Sequence, residues 1–247
     1  MRRYHAVRAD TAVIVPLHVK SYHCSSNGLL LPHILAHLCQ DIASDHADAL
    51  GLGFEHLKER NQIWALVVFR LEITQQPRYG MQLALETWPS CVNRLRAGRE
   101  FRMADAAGNV LLLGSSDWMV LHTQSRKPQD LNDLGIGLHV RAQRLLGDKL
   151  HRHKPGGGGR ELVRMHIPIS ALDVNGHVNN TEYIRFSYDA LYMHGCRGEV
   201  RGLNMTFHNE AFWDDALDLR YTLENGQHCV VGYRGTVPIF SALFTLE

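Results

Sequence analysis

Two periodicities alternate along the chain: runs in which every second residue is apolar, and two stretches in which apolar residues return every three or four positions. Residues 12–21 alternate and are rich in Val and Ile, which predicts a strand. Pro16 cannot donate to a ladder, so that strand belongs at a sheet edge or bulge. Over residues 30–49, Leu31, Ile34, Leu35, Leu38 and Ile42 fall on one helical face, predicting a long helix with a buried stripe, ended by Gly51 and Gly53. Residues 62–74 set Ala65, Val67, Phe69, Leu71 and Ile73 on one strand face, and Met81, Leu83, Leu85 and Thr87 continue the alternation. Residues 94–104 and 110–122 supply two further strands around a turn at 105–109.

Residues 126–160 interrupt this rhythm. Lys127-Pro128, a short helix predicted over 137–146, a basic run at 149–154 and Pro155 followed by four glycines read as a linker. The glycines are no phosphate loop, because no Gly-Lys-Ser/Thr follows. After Arg160 the order begins again: a strand at 162–169, a polar segment, a helix at 180–194, and strands at 203–210, 216–224, 227–234 and 237–246. Strand, long helix and four strands, occurring twice, predict an α+β protein with units at residues 1–135 and 160–247 and a linker at 136–159.

Charge and composition remove several classes of function. A net charge of +1 gives no bulk attraction to nucleic acid or to a membrane surface. No run approaches the roughly 20 apolar residues of a membrane span, and the basic start at residues 1–5 lacks the apolar core of a signal peptide. A cytoplasmic protein is expected. Cys24, Cys39, Cys91, Cys196 and Cys229 are scattered and never in a C-x-x-C pair, so neither a disulfide framework nor a metal site is expected.

The densest chemistry lies in residues 172–183. If the segment is extended, Asp173, Asn175 and His177 share one face, with Val174 and Val178 as an apolar backing. Gly176 permits a bend, Asn179 or Asn180 can cap the following helix, and the unpaired N–H groups at a helix start suit an oxygen that gains negative charge. The first unit carries Ser25-Ser26-Asn27-Gly28-Leu29-Leu30-Leu31 where the second carries Asp173-Val174-Asn175-Gly176-His177-Val178-Asn179. Further on, Leu71 overlays Met205 and Gln76 falls opposite Glu210. Both copies keep Asn-Gly, but the acid, imidazole and glutamate occur only in the second. The first unit therefore reads as scaffold and the second as the chemical half.

Asp173-Val174-Asn175-Gly176-His177-Val178-Asn179-Asn180 with Tyr183, and Asn209-Glu210 before an acidic turn, resemble the acyl-acyl carrier protein thioesterases of plants and bacteria. Trp64-Ala65-Leu66, Glu86-Thr87-Trp88-Pro89, Arg99-Glu100-Phe101 and Ser116-Asp117-Trp118 extend the likeness over most of the chain. The resemblance implies tandem hotdog domains, each a long helix wrapped by an antiparallel sheet, and a catalytic set of Asp173, Asn175, His177 and Glu210 with no cofactor. Plant members carry a cysteine just after the glutamate. Ala211 stands there, so a mechanism needing that thiol is excluded.

Such an enzyme would release free fatty acid from acyl carrier protein during fatty acid biosynthesis. Asp173 or Glu210 would act as base or nucleophile, His177 would shuttle the proton, Asn175 would fix the reacting groups, and the helix start at Asn179-Asn180 would receive the carbonyl oxygen. Strand parity counts against Glu210 unless the strand ends or bulges before it. Leu31, Ile34, Leu35, Leu38, Val67 and Phe69 could line an acyl pocket, and Arg141, Arg144, Lys149 and Arg152 could receive an acidic carrier protein. Two units in one chain already supply the pairing of single-unit relatives, leaving a monomer or a homodimer. Competing readings are an acyl-coenzyme A thioesterase, a non-catalytic acyl-carrier binding protein and, because His177 follows Asn175 by two residues with no intervening proline, least of all a hydratase.

Overall fold

A computed structural model describes residues 12–134 and 140–247. The first unit contains β1 (Val13–His18), α1 (Pro32–Ala49), the short α2 (Phe54–Lys58), β2 (Gln62–Ile73), β3 (Gln82–Val92), β4 (Ala97–Asp105) and β5 (Val110–His122). The second contains β6 (Arg160–His166), α3 (Asn180–Met193), β7 (Val200–Phe207), β8 (Ala216–Glu224), β9 (Gln227–Arg234) and β10 (Val237–Leu246). This is the α+β double hotdog arrangement, with one long helix to each five-stranded half of an antiparallel sheet. No helix among the described residues is long and apolar enough to cross a membrane.

The strands form one continuous sheet in the order β1-β3-β4-β5-β2-β7-β10-β9-β8-β6. Its seam is the antiparallel pair β2–β7, where Phe69 faces Met205 and Leu71 faces Leu203. Met205 is the counterpart of Leu71, and Leu203 of Phe69, so exchanging the units maps the seam onto itself. That self-complementary pairing is what a two-fold dimer interface has, here between two units of one chain. Pro16 sits opposite Ala84 on β1, an edge strand whose free side needs no N–H from it.

Both helices lie on the same side of the sheet and pack against each other. Leu35, Cys39 and Ile42 of α1 join Tyr183, Ile184 and Leu191 of α3, with Leu71, Phe101, Met205 and Phe240 beneath them, in one core that crosses the seam. Helix α1 starts at Pro32, whose ring presets the first helical φ. Asn179 fixes the start of α3 by accepting the Thr181 N–H at 2.9 Å.

Two expectations fail for local reasons. A bulge in β2 between Leu66 and Val68 reverses strand parity, so Phe69 and Leu66 pack on the helix side while Val67 packs with Val68, Leu146 and Leu150. Val67 and Phe69 thus share no face. The helix expected over 137–146 is absent from residues 140–146, and its first three residues lie outside the described ones.

The connector instead runs as extended chain over the outer sheet face. Arg141 N–H donates to Pro89 O at 2.9 Å and Leu145 N–H to Glu100 Oε2 at 3.0 Å, while Trp88 Nε1–H donates to Gln143 O at 2.9 Å. These bonds tie residues 141–145 to the first unit.

Candidate active site

Residues 171–179 form a tight turn before α3, not the extended segment expected. Asp173 N–H donates to His177 O at 2.8 Å, and Gly176, at φ +74, donates back to Asp173 O at 3.0 Å. The Asp173 carboxylate faces inward along the turn: its Oδ1 accepts the N–H of Asn175 at 2.8 Å and of His177 at 3.2 Å. Asn175 is exposed, with its side-chain amide 3.4 Å from Asp173 Oδ2. Val178 is buried, whereas Val174 is 85% exposed, so the pair forms no apolar backing. A turn built by the acid's own Asx bonds presents the imidazole alone toward the neighbouring strand end.

That strand end brings in Glu210. Strand β7 stops at Phe207, and the Asn209 amide donates to Pro238 O at 2.7 Å, bending the chain out of the sheet and removing the parity objection. Glu210 Oε1 then lies 3.5 Å from His177 Nδ1. The same carboxylate is paired with the Arg126 guanidinium, which comes from the first unit on the turn after β5, at φ +55. Arg126 is the residue that sequence reasoning missed, since nothing in spacing distinguishes it from other surface arginines. The Phe212 ring stands edge-on to His177, with centroids 5.2 Å apart.

Burial holds the His177 pKa below its ordinary 6.5; Asp173 pulls it up and Arg126 pushes it down. The imidazole is therefore neutral near pH 7, with one nitrogen free to accept a proton. Beside it, the Val178 N–H is taken by Ala211 O at 3.0 Å and the Asn179 N–H by Ala171 O at 2.9 Å. The Asn180 N–H has no partner among the described residues and opens α3, where backbone dipoles favour negative charge.

Asn180 and Thr181 also border an apolar crevice between the helices and the sheet, whose other walls include Ala36, Leu66, Phe69 and Ile184. Its volume is about 10 Å³, room for about one water, so an acyl chain could enter only by parting those side chains. Of the expected pocket residues Phe69 lies there. Leu35 is fully buried in the core, Ile34 and Leu38 flank that core, and Leu31 supplies the backbone cap of α1.

Residues 16–134 match the acyl-ACP thioesterase N-terminal domain, and residues 160–233 match the C-terminal domain of the same family. The chain belongs to the acyl-ACP thioesterase family. It is 22% identical over 214 residues to a chloroplastic acyl-[acyl-carrier-protein] hydrolase of Cuphea viscosissima and 24% identical over 224 residues to a chloroplastic oleoyl-acyl carrier protein thioesterase of Arabidopsis thaliana. Each likeness takes in 81% of this chain but 52% and 60% of those relatives' own length. The fold matches a solved acyl-ACP thioesterase of Bacteroides thetaiotaomicron with a TM-score of 0.84 at 21% identity, covering 96% of this chain and 98% of that one. A 12:0-ACP thioesterase of Umbellularia californica matches with a TM-score of 0.85 at 16% identity, covering 96% and 97%.

Within this chain the first unit repeats the turn without the acid and the imidazole. Ser25 N–H donates to Leu29 O, Gly28 N–H to Ser25 O, Leu30 N–H to Pro77 O and Leu31 N–H to His23 O, bond for bond as at Asp173, Gly176, Val178 and Asn179. Gly28 has φ +78 against +74 at Gly176. Where Glu210 would fall, Gln76 is buried, its amide donating to Leu30 O and accepting the Val200 N–H, both at 2.8 Å. One copy uses the position as a brace between the units; the other leaves it facing an imidazole.

The expected basic surface is only partly there. The Arg144 side chain is only 9% exposed, 3.1 Å from Asp117 and 3.4 Å from Glu100, and Arg141 lies 3.0 Å from Glu86 and over the Trp88 ring. Both hold the connector on the sheet, which removes Arg144 from any docking surface. Lys149 and Arg152 are exposed, Arg152 donating to Phe207 O at 3.2 Å.

Proposed function

We propose that this chain hydrolyses the thioester of a fatty acid carried on acyl carrier protein, releasing free fatty acid, with its chemistry in the second unit. What carries the reading is the meeting of His177, Glu210 and Arg126 next to an unpartnered helix-start N–H, in a member of the acyl-ACP thioesterase family. Residues 1–135 serve as scaffold and 160–247 as the catalytic unit.

A thiolate leaves with a conjugate-acid pKa of about 8.5, so expulsion needs little acid help; the demands are an activated water and a donor for the oxyanion. Asp173 is committed to the turn's own N–H groups, which makes it a positioning residue and leaves Glu210 as the base. With the neutral His177 imidazole, Glu210 takes a proton from water as the hydroxide oxygen attacks the carbonyl carbon. The Asn180 N–H receives the oxygen, the carbon–sulfur bond breaks, and the departing thiolate takes up, through His177, the proton that Glu210 removed from water. Asn175, at the mouth of the turn, orients the incoming group. No step calls for a cofactor. The acyl chain enters between α1 and α3 at Phe69, and Lys149 and Arg152 offer positive charge to an acidic carrier.

The five cysteines are all unpaired and suit a reducing compartment, so we assign the reaction to the cytoplasm. The seam between units supplies within one chain what single-unit relatives obtain by dimerising, and a monomer or a homodimer can work.

Thiol release from acyl groups of graded length, each offered on acyl carrier protein and on coenzyme A, tests the reading. Faster turnover on the carrier protein is expected. A preference for coenzyme A would move the assignment to an acyl-coenzyme A thioesterase, and no thiol release from either carrier would leave a binding protein.

A further inference from the structure

On the sheet face opposite the helices, three metal-binding side chains from separate segments converge. His153 of the connector places Nε2 at 3.0 Å from Glu224 Oε2, at the end of β8, and at 4.0 Å from Cys229 Sγ on β9. The three donor atoms all lie within 4.8 Å of one another. Cys229 is fully buried and packs with Val231, Tyr233 and Leu243, while its neighbour Val230 belongs to the helix-side core. The cluster is thus separated from the thioester site by the sheet itself.

Its members are oriented by bonds of their own. The His153 N–H donates to Thr206 Oγ1 at 3.0 Å, and Thr222 Oγ1 donates to Glu224 Oε1 at 2.7 Å, leaving Oε2 toward the imidazole. His153 Nδ1 is buried without a hydrogen-bond partner among the described residues, so the ring is anchored only by what meets Nε2.

We propose that His153, Glu224 and Cys229 form a site for a divalent metal ion of borderline softness, of the Zn²⁺ class, which fastens the connector to the β8–β9 hairpin. In a tetrahedral zinc site, metal–nitrogen or –oxygen distances near 2.0–2.1 Å and a metal–sulfur distance near 2.3 Å set the donors roughly 3.3–3.6 Å apart. The observed 3.0 and 4.0 Å bracket that spacing and the third pair lies within 4.8 Å, so side-chain movements of up to about an ångström complete it. Glu224 is 36% exposed, which lets a water fill the fourth position. Cys229 binds as thiolate and gives its proton to solvent. A thiolate and an imidazole discriminate against Mg²⁺ and Ca²⁺, which prefer oxygen. Cysteine spacing could not reveal the site, because the ligands come from three segments and only one is a cysteine.

The test uses the whole chain stripped of metal and titrated with Co²⁺, whose thiolate charge-transfer absorption reports a sulfur ligand. One equivalent should saturate the band, and Zn²⁺ should displace it. The band should vanish in Cys229→Ser and His153→Ala, weaken in affinity about tenfold or more in Glu224→Gln, and persist in Cys24→Ser and Cys196→Ser. Zn²⁺ should raise the Tm of the wild-type chain and of those two controls, but not of Cys229→Ser or His153→Ala. Glu224→Gln, at the partly exposed rim, covers the case in which a buried substitution fails to fold. Absence of the band in the wild-type chain, or its survival in Cys229→Ser, would overturn the site and leave a plain hydrogen-bonded cluster.

Discussion

His177 sits between opposed influences: burial and Arg126 disfavour its protonated form, and Asp173 favours it. If its neutral form works beside Glu210, kcat/KM should fall on acidification with a midpoint below the ordinary 6.5. Replacing Arg126 with Gln removes one depressing charge, so that acidic limb should move to higher pH, read from the pH–rate profile of the variant; an unmoved limb would detach Arg126 from the imidazole. Asp173, Asn175 and His177 were legible in sequence because they are close neighbours in a turn marked by glycine. Arg126 was not, because its partner Glu210 lies in the other unit, and no local pattern records a contact across a sheet seam. Glu210 was legible only by overlay on Gln76, since its direction depends on where β7 stops.

At the scale of elements, caps and buried ion pairs make separable contributions. Asn179→Ala removes the side-chain acceptor for Thr181 N–H and should lower stability by about 1 kcal/mol in denaturant unfolding. Arg144→Ala leaves Glu100, wholly buried, without its cation and Asp117 with Arg96 alone at 3.7 Å, and should cost about 3–5 kcal/mol, a larger loss than any exposed arginine would give. Equal small losses for Arg144→Ala and Lys149→Ala would contradict the pinned connector. Strands and helices were readable because period-two and helical patterns follow directly from which face is buried. The β2 bulge was not, since one inserted residue leaves the pattern's composition unchanged and reverses only its parity. The connector was not readable for a related reason: Leu146 and Leu150 are buried against Val67 and Val68 on the outer sheet face, and local spacing does not record a contact with a distant strand.

For the whole molecule, the duplication read from the chain becomes a single sheet with two helices clasped on one side, and Arg126 of the first unit meets Glu210 of the second beside His177. Sequence overlay reveals the twins but not their seam, because the β2–β7 register depends on pairing between distant strands. Packing of α1 on α3 half-buries His33 near Glu182 and Arg185, and His37 also faces it; that burial takes its pKa from 6.5 to about 4, with Glu182 opposing. The unfolded chain then binds the proton that the folded chain refuses. Stability contributed by neutral His33 should be whole above pH 6.5 and fall away toward pH 4, seen as a declining Tm that His33→Gln flattens. The central claim is that Glu210 of the second unit is the base, and the most direct measurement is thiol release from acyl carrier protein thioesters by Glu210→Gln. A loss of about 100-fold or more in kcat with unchanged Tm is expected; turnover within threefold of the wild-type chain would contradict it.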